Sequence, residues 1–206
     1  MKREEKNLLS RQKILESAMK EFGERGYGLS SINTICSAGG ISKGILYHYF
    51  KDKDEVYLAC VKECFDSLTA MLNEKRFSDE SIHKNLQNYF ETRFCFFEKN
   101  PLYQKVFCDA VVMPPAHLFG EISRIKEEFD RRNVSILTEQ LSKVKLRGGM
   151  TVEEAVDVFR LYQDYASARY RMDENGQTEP ETYEEICRKS IYVMLYGVAE
   201  KEGAQL

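Results

Sequence analysis

The sequence predicts an all-α protein of about nine helices. Three observations carry that prediction. Only 4 prolines interrupt 206 residues. Apolar side chains recur at i, i+3 and i+4 through nearly every segment. Alternating runs of the kind that mark strands are few. Hydrophobic residues make up 43% of the chain, which suits a folded core of one or two domains and lies outside the range of disordered chains.

Taken in order, the first helix carries Ile14, Leu15, Ala18, Met19 and Phe22 as one apolar stripe, and Gly26 ends it. Ile32, Ile35 and Cys36 form the inner face of a short second helix. Gly39 and Gly40 stop that helix, because glycine takes the left-handed turn conformation at little steric cost. Ile41 anchors the turn, and Ser42 is placed to cap the third helix with its hydroxyl. With Ile45 at the third helical position there is no reciprocal capping box. Ile45, Leu46 and Tyr49 have inward spacing, while Ser42, Lys43, Gly44, Tyr47 and His48 fall on the other face. A fourth helix from Asp54 to about Lys75 carries Val56, Leu58, Val61, Phe65, Leu68 and Leu72. Ser78 is expected to cap a fifth that runs to about Lys99. Asn100-Pro101 restarts the chain, since Asn caps and Pro suits the first helical position. Pro114-Pro115 breaks it again before a long charged helix ending near Lys145. Gly148-Gly149 makes a turn, and Thr151 with Glu154 forms a capping box for a helix to about Met172. Asp173 to Gln177 reads as a polar loop, and Pro180 opens a last helix ending near Lys201. Repeats and low-complexity tracts are absent from the sequence.

The stretch Ser31 to Phe50 is the most specific. A helix as short as the third gains little from folding alone, so its polar outward face points to an external partner. Gly44 within it costs about 1 kcal/mol relative to alanine, which a close approach of the backbone to a flat surface justifies. Two short helices around a glycine turn, with one face offered outward, fit insertion into the DNA major groove.

These residues resemble the DNA-binding motif of the tetracycline-repressor (TetR) family of bacterial regulators. That family shows Ile-Ala, then Ala-Gly-Val-Ser-Lys-Gly, then Leu-Tyr-His-Tyr-Phe, then Lys and an acidic pair before Leu. This chain has Ile35-Cys36, Gly39-Gly40-Ile41-Ser42-Lys43-Gly44, Leu46-Tyr47-His48-Tyr49-Phe50, Lys53 and Asp54-Glu55-Val56. The likeness covers roughly residues 10 to 57, and beyond it only length and helical pattern agree. Cys36 and Gly39 replace the usual alanines, and Ile45 replaces a position often held by a small polar residue; an isoleucine there still suits a thymine methyl. The resemblance implies a helix-turn-helix DNA-binding domain over residues 1–53 and a helical ligand-binding and dimerisation domain over 54–206. It implies DNA contacts at Ser30, Ser31, Ser42, Lys43, Gly44, Ile45, Tyr47, His48 and Lys53. For Ser30 and Ser31 helix capping comes first and phosphate contact second, and Lys53 meets a phosphate or packs. It further implies a repressor released from a palindromic operator by a small effector, with the helix from about residue 54 moving on binding.

Charge is weakly asymmetric. The chain carries a net −3, but residues 1–56 hold 10 Lys and Arg against 8 Asp and Glu. Binding to DNA therefore relies on a few placed cations, such as Lys43 and Lys53, and on helix N-termini. Lys2, Arg3 and Lys6 of the N-terminal arm add to them. The N-terminus has no signal-peptide core and no apolar run reaches spanning length, so a cytoplasmic protein without a membrane partner is expected. In that compartment the six cysteines read as reduced thiols. Cys60 and Cys64 share a helix face but have no third ligand near, and His48, His83 and His117 are far apart, so neither metal nor cofactor is expected. Nucleophile motifs and phosphate-binding glycine loops are missing too, and the chain does not read as an enzyme. The carboxylates Glu127, Glu128 and Asp130 read as a solvated face, and the Asn133-Val134-Ser135 sequon carries no meaning without a secretory signal.

Two regions of the remainder invite function. Residues 152–168 hold two apolar stripes, Val152, Val156, Phe159, Tyr162 and Ala166 on one, and Val158, Leu161, Tyr165 and Ala168 on the other. The last helix adds Ile186, Ile191, Met194, Leu195 and Val198. Such faces either complete the monomer core or pair two copies; the family resemblance implies a homodimer through the last two helices. Residues 89–107 hold seven of the 12 Tyr and 12 Phe. An effector site is expected from Tyr89, Phe90, Arg93, Phe94, Phe97, Tyr103, Gln104, Phe107, Cys108 and Met113, closed by Tyr162 and Tyr165. Arg93 would take an anionic group; the alternative is plain core packing with Arg93 in an ion pair. The rival to a DNA-binding regulator is a helical adaptor whose short helix meets protein.

Overall fold

Helical periodicity holds through the whole described chain. In the computed structural model the described residues are 3–78, 81–172, 189–190 and 192–197, with side chains described from Leu9 to Arg169 and again from 189. The helices are α1 (Arg3–Leu29), α2 (Ile32–Gly39), α3 (Lys43–Tyr49), α4 (Lys53–Glu74), α5 (Ile82–Lys99), α6 (Pro101–Val112), α7 (Phe119–Leu141) and α8 (Val152–Met172). Single 3-10 turns occupy Ala116–Leu118 and Arg147–Gly149, residues 189–190 and 192–197 are helical, and no strand occurs among the described residues. The polar loop, the start of the last helix at Pro180, its end near Lys201, and Ile186, Cys187, Ile191 and Val198 lie outside the described residues. Among the described residues no helix is long and apolar enough to cross a membrane.

Several ends fall where the side chains predict. Gly26 takes φ 68° and ψ 168°, a conformation open to glycine, and kinks the end of α1. Asp52 caps α4, its carboxylate accepting from Glu55 N at 3.0 Å. Thr151 Oγ1 accepts from Glu154 N at 3.2 Å while Glu154 accepts from Thr151 N at 2.8 Å, a complete capping box. Those hydrogen bonds hold the Glu154 carboxyl below the usual carboxylate range. Three expectations need correction. α5 starts from Ser81, whose carbonyl accepts from Asn85 N, and not from Ser78. Asn100 sits before α6 without a capping bond from its side chain; its carbonyl does the work, accepting from Tyr103 N and Gln104 N. α7 ends at Leu141, four residues early, where a turn through Val144 follows.

Two compact units share the chain, and their division falls inside α4 and α7. The first holds the chain up to Ser67 with Asn100–Glu127; the second holds Leu68–Lys99 with the chain from Glu128. In the first, α1 packs on α2, α3 and α6. Its core joins Ile14, Ala18, Phe22, Ile35, Leu46, Val56, Tyr57, Cys60, Cys64, Phe65, Val106 and Phe107, all buried. α1 and α6 approach so closely at Gly23 that a Cβ there would stand 3.0 Å from Leu102 Cδ2.

The second unit buries a polar ladder inside its apolar core. Tyr89 donates to Asn133 Oδ1, Asn133 Nδ2 donates to Gln163 Oε1 at 2.7 Å, and Gln163 Nε2 returns to the Tyr89 hydroxyl at 3.1 Å. A second link runs from Asn85 Nδ2 to Gln140 Oε1 at 2.8 Å, and Gln140 donates on to Phe77 O at 2.9 Å. Asn133, the sequon residue, is therefore an interior tie between α5, α7 and α8. Each group in the closed ring finds a partner, which is what allows it in a core. On α8 the two stripes part: Val156 and Phe159 are buried, whereas Val158, Leu161 and Tyr165 stay exposed, Leu161 by 72%.

Candidate nucleic-acid interface

The recognition segment is built by two caps and one glycine. Ser31 is extended and its hydroxyl accepts from Thr34 N at 3.1 Å, starting α2. Gly40 lies at φ 57°, ψ 40°, the left-handed region. From there Gly40 N donates to Ser37 O and Ile41 N to Cys36 O, the paired bonds of a Schellman stop. Two residues on, Ser42 Oγ accepts from Ile45 N at 3.2 Å and starts α3. The turn is thus fixed by local bonds, and α3 leaves it in a set direction.

Only Leu46 of α3 is fully buried. That one side chain contributes roughly 1.5–3 kcal/mol of apolar burial, with Phe50 buried just beyond the helix end. Ser42, Lys43, Gly44, Ile45, Tyr47 and His48 are all exposed, so one short helix presents one continuous outer surface. Ile45 departs from the inward spacing expected of it: seven residues leave room for one inward row, and Leu46 with half-buried Tyr49 fills it. Ile45 instead stands outward, on the same exposed surface as Tyr47 and His48. Gly44 has open space around the site of a Cβ, the nearest atom being Ser42 Oγ at 4.0 Å. Nothing inside the fold explains a glycine at that position.

Two of the expected contact residues are engaged inside the fold. Ser30 is buried, and its hydroxyl donates to Gly26 O at 2.6 Å and lies 3.2 Å from Glu21 O. Lys53 donates to Tyr27 O at 3.0 Å and Ser30 O at 3.3 Å, and its ammonium sits 4.0 Å above the centre of the Tyr27 ring. Both residues hold the connection between α1 and α2. Glu21 joins them, accepting from Ser31 N at 3.3 Å while buried beneath the same connection.

A cluster that sequence reasoning missed lies at the same place. Tyr27 donates its hydroxyl to Asp54 Oδ1, and His117 Nε2 stands 3.1 Å from Asp54 Oδ2 and 3.2 Å from the Tyr27 oxygen. Burial, then the hydrogen bond to Asp54 and its charge, push the Tyr27 phenol up to about 12. The phenol is therefore a donor throughout the working range of a protein. No spacing signal finds such a cluster, because its members are 27 and 63 positions apart and come from α1, α4 and the Ala116–Leu118 turn.

The expected effector residues divide between the two units. Tyr89, Phe90, Arg93, Phe94, Phe97, Tyr162 and Tyr165 belong to the second; Tyr103, Gln104, Phe107, Cys108 and Met113 belong to the first. Tyr89 is fully buried in the polar ladder, and Arg93 donates to its hydroxyl at 2.9 Å with the guanidinium 5.4 Å from the centre of Phe129. Tyr103 donates to Glu63 Oε1 at 3.1 Å, and Phe107 packs on Phe65 at 4.9 Å. Met113 and Tyr165 are exposed. The thiols of Cys60 and Cys64 are pushed well up by burial, the state of unreactive core cysteines. Among the described residues no group of three or more His, Cys, Asp or Glu is placed to hold a metal.

Residues 14–60, which run from the α1 stripe through α3 into α4, match the family model described as bacterial regulatory proteins, tetR family. Over 157 residues the chain is 27% identical to IcaR of Staphylococcus aureus, a negative transcriptional regulator of the biofilm operon icaADBC, covering 74% of this chain and 79% of that protein. Over 59 residues, 29% of this chain and 31% of the relative, it is 39% identical to the transcriptional repressor AcnR of Corynebacterium efficiens. The fold matches the crystal structure of the regulator FadR of Bacillus subtilis in complex with stearoyl-CoA. The TM-score is 0.75 at 19% identity, over 90% of this chain and 98% of that one.

Proposed function

The chain belongs to the TetR family of bacterial regulatory proteins, and from that premise we propose that it is a ligand-responsive transcriptional repressor acting on DNA in the cytoplasm. The observation that carries the reading is the outer face of α3. Ser42, Lys43, Gly44, Ile45, Tyr47 and His48 are exposed together on a helix anchored by one buried leucine, and the glycine among them has no internal reason. Lys43 and Tyr47 are the principal contacts, with His48 beside them and Ser31 at the start of α2. Ser30 and Lys53 act from behind, by fixing the connection that seats α2. The helix-turn-helix ends near residue 53, and the rest of the chain serves effector binding and dimerisation.

The protein works as a homodimer on an inverted repeat, because two recognition helices need a two-fold partner to read two half-sites. Val158, Leu161 and Tyr165 of α8, with Tyr192 and Val193, form the pairing face; all are large, apolar or aromatic, and exposed in the single chain. The effector is a small hydrophobic or amphipathic molecule. FadR, with its bound stearoyl-CoA, shows such a molecule on a protein of this fold. Here the aromatic residues of α5 and α8 in the second unit, with Arg93, are the proposed contacts on that side.

Retention on duplex DNA at rising salt tests the reading against the adaptor alternative. Salt-dependent retention is expected, and Lys43→Ala should weaken binding and, if the lysine meets a phosphate, lower the salt slope by about one. A chain of net charge −3 that shows no retention at low salt would favour the adaptor.

A further inference from the structure

We infer that His117 is a positioning residue for DNA binding, acting through Asp54 and Tyr27 on the connection between α1 and α2. The inference rests on the proposed DNA-binding role of α3. Its basis is a chain of contacts within the first unit. α2 begins at Ser31, and the path of the four residues before it decides where the α2–turn–α3 block stands. That path is gripped from the first turn of α4. Lys53 holds the carbonyls of Tyr27 and Ser30, and Asp54 accepts the Tyr27 hydroxyl. His117, which comes from outside residues 1–67, closes the cluster by meeting both Asp54 and Tyr27. Its ring also lies 5.7 Å from that of Tyr27, centre to centre.

The charges around the cluster agree with that assignment. Asp54 lies in the first turn of α4, where the helix favours negative charge. Lys53 lies over the Tyr27 ring, and Asp52 adds negative charge near the phenol. With Tyr27 donating to one oxygen of Asp54, His117 Nε2 lies within hydrogen-bond distance of the other. The pair is open to water, His117 by 55% and Asp54 by 37%. An ion pair or hydrogen bond so exposed adds little to global stability. What it adds is the position of one short connection, and through it the aim of α3. Any shift of the Ala116–Leu118 turn thereby reaches the DNA-binding face by a three-residue route.

The test uses the full-length chain and a duplex recovered by its own binding. His117→Ala should weaken DNA binding by about three- to tenfold, the range expected for one net hydrogen bond, with the melting temperature unchanged. Asp54→Asn combined with His117→Ala should be no weaker than the worse single variant, since both break one link. His117→Gln, whose amide nitrogen can take the place of Nε2, should return the affinity to within about twofold of wild type. The inference is overturned if His117→Ala binds as wild type, if the two losses multiply, if glutamine fails to rescue, or if the loss simply follows a fall in melting temperature. If the wild-type chain binds no duplex, the DNA-binding reading falls by itself. Hydrogen exchange of the backbone amides from Gly28 to Ser31 then decides the positioning role. Faster exchange in His117→Ala supports it, and unchanged exchange overturns it.

Discussion

Gly44→Ala separates what α3 does for the fold from what it does for a partner. The residue lies in the first turn of the helix, and apart from its chain neighbours and the helix's own backbone no atom lies nearer than 4.0 Å to the position of a new Cβ. Alanine there loses less chain entropy on folding than glycine, a gain of about 0.5–1 kcal/mol in an exposed helix. For a chain of this size that is a rise of roughly 1–4 °C in melting temperature. The same methyl projects from the surface that Lys43, Tyr47 and His48 occupy. If the backbone at 44 rests against DNA, an extra carbon costs about 1–3 kcal/mol of misfit, or about five- to 150-fold in affinity. Gly39→Ala provides the contrast. Its Cβ would stand 2.6 Å from Ile41 Cδ1 and 3.0 Å from Ser17 Cβ, so it should lower the melting temperature. Circular dichroism melting and fluorescence anisotropy on a labelled operator measure both quantities. A Gly44→Ala variant that melts higher and binds DNA as tightly as wild type would refute the close approach at this position.

Three further outcomes follow from buried and half-buried groups. Among the described residues the buried Tyr57 hydroxyl has no hydrogen-bond partner, so Tyr57→Phe should keep or raise stability by up to about 1 kcal/mol, measured by denaturant unfolding; a loss of 2 kcal/mol or more, on the order of a buried bond to a charged group, would contradict the assignment. Asn133→Ala leaves Tyr89 and Gln163 each short of a partner and should destabilise by about 2–4 kcal/mol, which the same unfolding experiment reads. Tyr27 titrates higher in the folded chain than in the unfolded one. Its contribution to stability is therefore complete below about pH 10 and is lost as pH rises towards about 12. Stability measured across that interval should fall less steeply in Tyr27→Phe.

The sequence is most legible where bonds are local. Ser31, Gly40 and Ser42 each act on backbone within five residues, so their types alone place α2, the turn and α3. Periodicity is less decisive on short or two-sided helices. It assigned Ile45 inward, although a seven-residue helix has one inward row, and it found both stripes of α8 without telling which one a single chain buries. Partners far along the chain leave no local trace. Lys53 reads as meeting a phosphate or packing, and the sequence does not name the carbonyls of Tyr27 and Ser30 that it holds. Asn133 reads only as a sequon without meaning until Tyr89 and Gln163 close around it. His117 reads as a lone histidine until Asp54 and Tyr27 meet it.

On the reading proposed above, the exposed face of α3 reads DNA as one half of a dimer. Retention of fragmented genomic DNA by the purified protein, with sequencing of what is held, tests it most directly when Lys43→Ala/Tyr47→Ala is run alongside. Wild type should recover an inverted repeat and the double variant should lose it, with both proteins equally folded. Recovery of the same fragments by the double variant, or of none by wild type at low salt, would contradict it.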